Sequence, residues 1–304
     1  MVKSLDSYNL PTLEDLLEAG VHFGHQTRRW HPKVAPFLYK EQNKIHIFDL
    51  LKTHEKLRQA CDFLFNLASL GKTVCFVGTK KQAADIIRKE ATRAGALFVS
   101  ERWTGGMITN FDHVRNKMLR LKNIEQGLAP GGMFEKYTKK ERLDLERDAQ
   151  KLEQEVGGVR NMDRVPDALF VVDTKKEFTA VLEARKRGVP VVALVDSNCD
   201  PTKIDHPIPG NDDATQSLAV ITKAVADAVE AGYKAWANEK AKPEGVKSVE
   251  HKAVKKEIRE EIAKEDEVKK VNKKVEKAKI IKKPKTTIKS ARPGKKVGRP
   301  KKAK

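Results

Sequence analysis

The sequence predicts an α/β fold with a parallel sheet of about five strands and helices on both faces. The first observation is a set of short, continuously apolar runs, which are typical of strands buried on both sides. These runs are IHIFDL (45–50), TVCFVGT (73–79), LFVS (97–100), ALFVVD (168–173) and VPVVALVD (189–196). The second observation is that helical patterns follow most of them, at about 51–70, 80–94, 177–187 and 213–231. Strands that alternate with helices indicate a doubly wound sheet, and we predict the flavodoxin-like strand order.

A short helix is predicted before the first of these strands, at about residues 12–19. Thr12 is a good capping residue, and Asp15 stands three positions later, where a capping box places its acidic partner. Gly20 follows as the residue that ends the helix. Residues 20–44 are predicted to be irregular and basic.

A segment at 110–157 interrupts the alternation of strands and helices. It contains two narrow apolar stripes at helical spacing, Phe111-Val114-Met118-Leu121 and Leu145-Ala149-Leu152-Val156. A glycine-rich turn lies between them. We predict an inserted antiparallel coiled-coil hairpin that projects from the sheet domain, because stripes this thin cannot cover a sheet face. The alternative is two helices packed flat on the core. The predicted core is therefore 1–109 and 158–235.

The positive charge is concentrated at the C-terminal end. The chain carries a net charge of +19. Residues 239–304 hold 25 Lys or Arg and 10 Asp or Glu, whereas residues 1–238 hold 36 and 32. We predict that 236–304 is a basic, largely disordered extension that meets polyanions with salt-dependent affinity.

Several classes of protein are disfavoured by composition. The sequence has no run of about 18 apolar residues, so we expect no transmembrane helix. The N-terminal residues lack the apolar region of a signal peptide. Cys61, Cys75 and Cys199 form no closely spaced pair, so we expect neither a cysteine zinc site nor a disulfide framework. A reducing cytoplasm fits this pattern best.

Three basic, glycine-containing segments are candidate RNA contacts. Arginine binds phosphate in a fork and stacks on bases, and glycine lets backbone amides approach phosphate. Two of the segments follow predicted strands, where α/β folds bind ligands. The candidate residues are Arg28, Arg29, Trp30 and Lys33 in GVHFGHQTRRWHPK (20–33), Lys80 and Lys81 in FVGTKKQA (76–83), and Arg102, Trp103 and Asn110 in ERWTGGMITN (101–110). The alternatives are a surface loop whose tryptophan packs on the core, and two ordinary strand-to-helix turns.

The first hairpin helix adds a one-sidedly basic surface. We expect it to touch RNA through Arg115, Lys117, Arg120 and Lys122. The alternative is a charged face that only meets solvent.

Five aspartates gather in VDSNCDP (195–201) and the residues that follow it. They are Asp196, Asp200, Asp205, Asp212 and Asp213. Such oxygen donors could bind a divalent cation, but a helix cap is an equally ordinary role for Asp212 or Asp213. No serine or cysteine here belongs to a motif that pairs it with a base, so the sequence favours a structural role.

Together these motifs resemble the bacterial form of the second protein of the small ribosomal subunit, the S-two family. The resemblance covers about residues 8–232. The motifs that carry it, in the family's order, are LLEAGVHFGHQTRRWHPK, NKIHIFDLLKT, FVGTKKQA, RWTGGMITNF, FEKYTKKE, GGVRNM, PDALFVVD and VDSNCDPTKIDHPIPGNDDA. This chain departs from the family pattern at His31, at Thr104 and at 163–165.

The resemblance implies a flavodoxin-like domain with an inserted coiled-coil hairpin and a structural role without catalysis. It also implies binding to small-subunit rRNA near the head–body junction of the particle. The implied partners are neighbouring small-subunit proteins, including the large mRNA-binding protein S-one. The implied location is the cytoplasm, bound to ribosomes. No cofactor is required, although relatives suggest a divalent metal, zinc or magnesium, near His25, Asp196, Asp212 and Asp213.

Two other functions remain open at this level. One is a cytosolic enzyme that uses the aspartates and a divalent cation on a phosphorylated substrate. The other is a DNA-compacting protein driven by the basic extension.

Overall fold

The computed structural model describes residues 8–241, which form seven α-helices and eight strands. The strands are β1 (Phe23–Gln26), β2 (Leu38–Gln42), β3 (Ile45–Phe48), β4 (Val74–Val77), β5 (Leu97–Val99), β6 (Ala168–Val172), β7 (Val191–Val195) and β8 (His206–Pro209). The helices are α1 (Leu13–Glu18), α2 (Leu50–Ser69), α3 (Lys81–Ala94), α4 (Phe111–Leu128), α5 (Lys139–Val156), α6 (Phe178–Arg187) and α7 (Thr215–Ala241).

The main sheet has five parallel strands in the order β5-β4-β6-β7-β8. Numbered along the chain within this sheet, the order is 2-1-3-4-5, which is the flavodoxin-like arrangement. The strand order reverses between β4 and β6. Their carboxyl ends therefore flank the crevice where such sheets hold ligands.

Four strands differ from the prediction. Residues 20–44, predicted to be irregular, contain β1 and β2, which are largely exposed and so lack the continuous apolar run of a buried strand. The run IHIFDL forms β3, which pairs with β1 and β2 in a separate three-stranded antiparallel sheet. Its burial alternates along the strand, as expected of a strand with one covered face. The fifth parallel strand is instead β8, which lies at the edge of the main sheet. It contains Pro207 and Pro209, and proline is tolerated at an edge because fewer backbone donors are needed there.

The two faces of the main sheet have separate cores. Along β4 and β6, successive side chains point to opposite faces. Phe76 and Phe170 pack with α2, α3 and α7, whereas Val77 and Val171 pack with α6 and the base of α4. All four side chains are fully buried. This double burial explains why the strands read as continuous apolar runs.

The ends of α1 agree with the sequence. Thr12 Oγ1 accepts a hydrogen bond from the Asp15 amide at 3.1 Å, and the Asp15 carboxylate accepts one from the Thr12 amide at 2.8 Å. Gly20 follows with φ +69°, a conformation that favours glycine.

Helix α7 is longer than predicted: the sequence pattern ended it at about residue 231, whereas it continues through Gly232 to Ala241. Gly232 lies where α7 crosses α2: a Cβ atom there would be 2.5 Å from the Cβ of Ala68. This glycine thus permits close helix packing and does not end the helix. The basic extension from 242 onward lies outside the described residues.

Helices α4 and α5 run antiparallel within the predicted insertion. Lys117 contacts Glu155 at 2.6 Å, and Arg120 contacts Asp148 at 2.7 Å. The stripe of α4 is buried along the helix, and Val114, Met118 and Leu121 join the same core cluster as one sheet face. The coiled-coil character of the pair stays a prediction. Within residues 8–241, none of the helices combines the length and the apolar character that crossing a bilayer requires.

Candidate nucleic-acid interface

The basic N-terminal segment is fixed to the loop that follows β7. The His25 amide donates to Ser197 Oγ at 2.8 Å, and the His31 amide donates to the Ser197 carbonyl at 2.7 Å. Gly24 permits this approach, because a Cβ there would be 3.0 Å from Ser197 Oγ. Lys33 Nζ contacts Asp200 at 3.1 Å. These contacts bring together two motifs that are about 170 residues apart in the sequence.

A partly buried ionic cluster lies beside this junction, at the carboxyl ends of the parallel strands: Asp196 and Asp212 are buried, whereas Asp213 is exposed. His25 Nδ1 is 3.1 Å from Asp196, and His25 Nε2 is 3.4 Å from Asp213. Lys80 Nζ is 2.9 Å from Asp212 and 2.5 Å from Asp213. The structure therefore assembles all four residues that the family resemblance associates with a metal. It also places a lysine among them.

Burial and mutual charge shift the pKa values in this cluster. Burial, with the nearby charges of Asp196 and Asp173, raises the pKa of Asp212 to about 7. Burial alone would lower the pKa of Lys80, but its hydrogen bonds to the two neighbouring carboxylates raise it. The hydrogen bond to Asp196 raises the pKa of His25. The cluster therefore stabilises positive charge on both basic side chains.

The two lysines of the turn after β4 lie in different environments. Lys80 was predicted to contact RNA, yet its ammonium is largely covered and lies among aspartates. Lys81 begins α3 and is exposed. The backbone of the turn is held by Glu177, whose carboxylate accepts from the Thr79 amide at 3.3 Å and from its hydroxyl at 2.5 Å. Of the two lysines, only Lys81 is placed to meet a partner in solution.

The loop after β5 is organised around the buried carboxylate of Glu183 on α6. The amides of Gly106, Ile108 and Thr109 donate to it at 2.8, 3.1 and 3.2 Å. The indole of Trp103 also donates to it, at 3.2 Å, and this ring is only 8% exposed. Trp103 was predicted to meet RNA, but it lies in the core beneath the loop.

The pKa of Glu183 reflects these donors. Burial alone would raise the pKa of this carboxyl, but the hydrogen bonds from three amides and the indole outweigh burial and lower it. Glu183 is therefore an ionised, fully engaged group, and the amides it accepts from are not available to a phosphate.

Most of the other predicted RNA contacts are exposed. The exposed ones are Arg28, Arg29, Trp30, Lys33, Lys81, Arg102, Asn110, Arg115, Arg120 and Lys122. Lys117 is half-buried and paired, and Arg120 and Lys33 also have carboxylate partners. Trp30 packs beside His46 with ring centroids 5.0 Å apart, and is 39% exposed. Within residues 8–241, no ion pair involves the charged side chains of Arg28, Arg29, Lys81, Arg102, Arg115 or Lys122.

An apolar groove of about 660 Å³ lies between α1 and the small antiparallel sheet. It is lined by large side chains that remain substantially exposed, namely Leu13, Leu17, Phe23, Tyr39 and Leu51. The charged residues of α1 are all acidic. This surface therefore differs in chemistry from the arginine-bearing loops.

The ionic cluster has donors that suit a metal. One ligand atom each from His25, Asp212 and Asp213 lies within 4.8 Å of the others. A histidine nitrogen with carboxylate oxygens suits zinc better than magnesium, which favours oxygen donors alone. Asp196 contacts the other ring nitrogen of His25, as residues that orient a histidine ligand commonly do.

Comparison with known proteins gives the family. Residues 16–232 match the family model described as ribosomal protein S2. This chain belongs to the ribosomal protein S2 family. The small ribosomal subunit protein uS2 of Acidothermus cellulolyticus is 50% identical over 236 residues, which cover 77% of this chain and 86% of that protein. The protein of the same name from Geotalea uraniireducens is 50% identical over 224 residues, 74% of this chain and 87% of that protein.

Membership of the ribosomal protein S2 family confirms the resemblance drawn from the motifs. The family is structural and not enzymatic, which confirms that this chain is not an enzyme. The aspartates at the strand ends accordingly belong to a structural cluster and not to an active site.

Two residues that organise the loops of this family member were absent from the sequence-based candidates. They are Glu177, the residue that precedes α6 as its N-cap, and Glu183 within that helix. In the sequence both look like ordinary charged positions on a helix, and nothing in their spacing indicates burial. Only the fold shows that their carboxylates accept hydrogen bonds from two separate loops.

Proposed function

We propose that this chain is a structural constituent of the small ribosomal subunit and binds its rRNA near the head–body junction. The chain belongs to the ribosomal protein S2 family, and the observation that supports the proposal is which of its basic side chains are covered and which are exposed. Lys80 is largely covered and pairs with the buried Asp212 and with Asp213, whereas Arg28, Arg29 and Arg102 are exposed on loops held by buried contacts. Such exposed arginines suit phosphate, and rigid loops fix the register of the protein on RNA.

The mechanism is positional. Phosphates meet the arginine and lysine side chains, and Trp30 offers an aromatic surface for a base or ribose. Helix α4 extends the basic surface through Arg115 and Lys122. Because the amides of the loop after β5 are engaged by Glu183, the contribution of that loop comes from Arg102 and Asn110.

We propose that the apolar groove between α1 and the small sheet docks a neighbouring protein, and we favour S-one. Exposed leucines and aromatic rings are typical of protein interfaces, and the acidic residues of α1 repel phosphate. Replacing Leu17 with Glu tests this: the particles should retain the variant but recover less S-one. Equal recovery of S-one would contradict the assignment. Replacing Leu70, an exposed leucine at the end of α2, is the matched control.

We further propose that the ionic cluster holds one zinc ion through His25, Asp212 and Asp213. When bound, zinc would tie the N-terminal segment to the strand ends. Asp196 would orient His25, and Lys80 would balance the remaining negative charge. Metal analysis of the purified chain should give about one zinc per chain. The variant His25→Gln should abolish it, whereas His54→Gln on α2 should not. A metal-free chain, or zinc retained by the His25 variant, would contradict the site.

Fractionation tests the ribosomal role. When a cytoplasmic extract is sedimented at moderate salt, the protein should comigrate with the small ribosomal subunits. Deletion of 242–304 should weaken association without abolishing it, since the extension adds sequence-independent attraction. Recovery only in the free fractions would contradict the proposal. Full loss on deletion would instead favour docking by the extension, and association with DNA would favour the compaction role.

A further inference from the structure

We propose that Glu183 is a positioning residue for RNA binding: it holds the loop 101–110 so that Arg102 and Asn110 face the RNA. This inference rests on the proposed rRNA-binding function. Glu183 does not itself meet RNA, because the residue is only 8% exposed and its carboxylate already accepts hydrogen bonds from the loop.

The contacts of Glu183 surround the loop. One carboxylate oxygen accepts from the Trp103 indole and the Gly106 amide, and the other accepts from the amides of Ile108 and Thr109. The second oxygen also accepts from the Thr109 hydroxyl at 3.1 Å. Five donors from one loop thus converge on a single carboxylate. A buried carboxylate with this many donors fixes the loop far more firmly than exposed side chains could.

The same helix holds the loop at a second point. Arg187 lies one turn beyond Glu183 on α6 and donates to the Thr109 carbonyl at 3.2 Å. Asn110 follows directly and makes no side-chain cap for α4. The start of α4 therefore depends on the contacts from α6. We infer that α6 sets both the direction of Arg102 and the direction in which the basic helix leaves the core.

Glycine chemistry supports a fixed loop geometry. Gly106 has φ +89°, and the hydrogen bond from its amide is the shortest one that Glu183 accepts from the loop. Its neighbour Gly105 has no heavy atom within 4 Å of an added Cβ. The loop is thus constrained where it meets the carboxylate and open where it faces outward.

The test uses the full-length chain with Glu183→Gln, which replaces one acceptor oxygen by a donor while keeping the shape. Amide hydrogen exchange at 106–109 should accelerate, and affinity for small-subunit rRNA should fall about tenfold. Asp167→Asn is the matched control, since Asp167 accepts from Thr73 at the opposite ends of the strands. It should leave exchange in the loop unchanged and affinity within about twofold.

Arg102→Met separates this inference from the proposed function. If Arg102→Met weakens binding and Glu183→Gln does not, Glu183 has no positioning role although the loop binds RNA. If neither variant changes binding, the proposed function of the loop fails. If Glu183 acts through Arg102, the double variant should bind more tightly than the sum of the two effects predicts.

Should Glu183→Gln fold poorly, Thr109→Val removes only the hydroxyl donor and should weaken binding in the same direction. Unchanged binding by that variant, with faster loop exchange, would also contradict the proposal.

Discussion

The turn after β4 and the loop after β5 look alike in sequence but differ in the direction of their charge. Both contain glycine and basic residues at the carboxyl end of a parallel strand, and both are held by a buried glutamate from the region of α6. Lys80 in the first turn points inward to aspartates, whereas Arg102 in the loop is exposed. The first is therefore an internal ionic junction and the second an outward-facing platform.

This comparison shows what a basic, glycine-rich turn does and does not indicate. The composition locates flexible backbone at the strand ends, but the orientation of each cation depends on where the remote acidic residues lie. Asp212 and Asp213 come more than 130 residues after Lys80. Their position beside it is a consequence of strand order, which local sequence does not contain.

The largest effect on stability is expected when the inward-pointing charge of Lys80 is removed. Lys80→Met should lower the free energy of unfolding by about 2–4 kcal/mol, because it leaves the buried Asp212 without its partner. The adjacent Lys81→Met should change it by less than about 0.5 kcal/mol, since Lys81 is exposed. Urea denaturation measures both. Equal losses for the two variants would show that Lys80 is not part of an internal junction.

A glycine pair tests the rigidity of the second loop. Gly106→Ala should cost about 1–2 kcal/mol of unfolding free energy, because φ +89° strains an L-residue and the new Cβ lies 3.1 Å from the Cβ of Asn110. Gly105→Ala should cost less than about 0.5 kcal/mol, since its Cβ meets open space. Thermal unfolding monitored by circular dichroism gives both values. A tolerated Gly106→Ala would mean that the loop is free to rearrange.

The pH dependence of stability distinguishes the carboxylates of the two regions. The pKa of Glu183 is lowered from the ordinary value of 4.5, so its contribution is present above pH 4.5 and is lost as the pH falls through its folded-state pKa. The difference in unfolding free energy between wild type and Glu183→Gln should therefore become smaller as the pH falls into the acid range.

Asp212 should show the opposite sign. Its pKa is raised from 3.8 to about 7, so wild type should lose stability relative to Asp212→Asn as the pH rises between these values. Unfolding curves across pH 3–8 would reveal both trends. Parallel profiles for the two variants would contradict the assignment of charge to the two regions.

Much of the fold follows from local sequence signals. The capping box of α1 is explained by Thr12 and Asp15, and the doubly buried strands by their continuous apolar residues. The sequence pattern missed β8, because two prolines make an edge strand resemble a loop. It also missed β1 and β2, because these short strands are mostly exposed and carry few apolar residues. It also assigned β3 to the parallel sheet, although its alternating burial belongs to a sheet with one covered face.

The candidate interface was predicted less completely. The motifs located the loops and the arginines, and the family resemblance named the four residues of the His25 cluster. They could not show that Trp103 is buried, because an aromatic residue beside arginine fits both a core and an RNA contact. They also missed Glu183, since its role depends on tertiary contacts with residues about 75 positions earlier.

The most direct measurement of the central claim is association of full-length charge variants with small ribosomal subunits at increasing salt. One variant replaces Arg28, Arg29 and Arg102 with Glu, and its matched control replaces Lys72, Lys89 and Lys223, which are exposed lysines outside the proposed surface. Both variants carry the same net charge and the same extension. We expect the arginine variant to dissociate at lower salt than wild type, and the control to dissociate at the same salt as wild type. Equal behaviour of the two variants would show that total charge, and not these loops, determines binding.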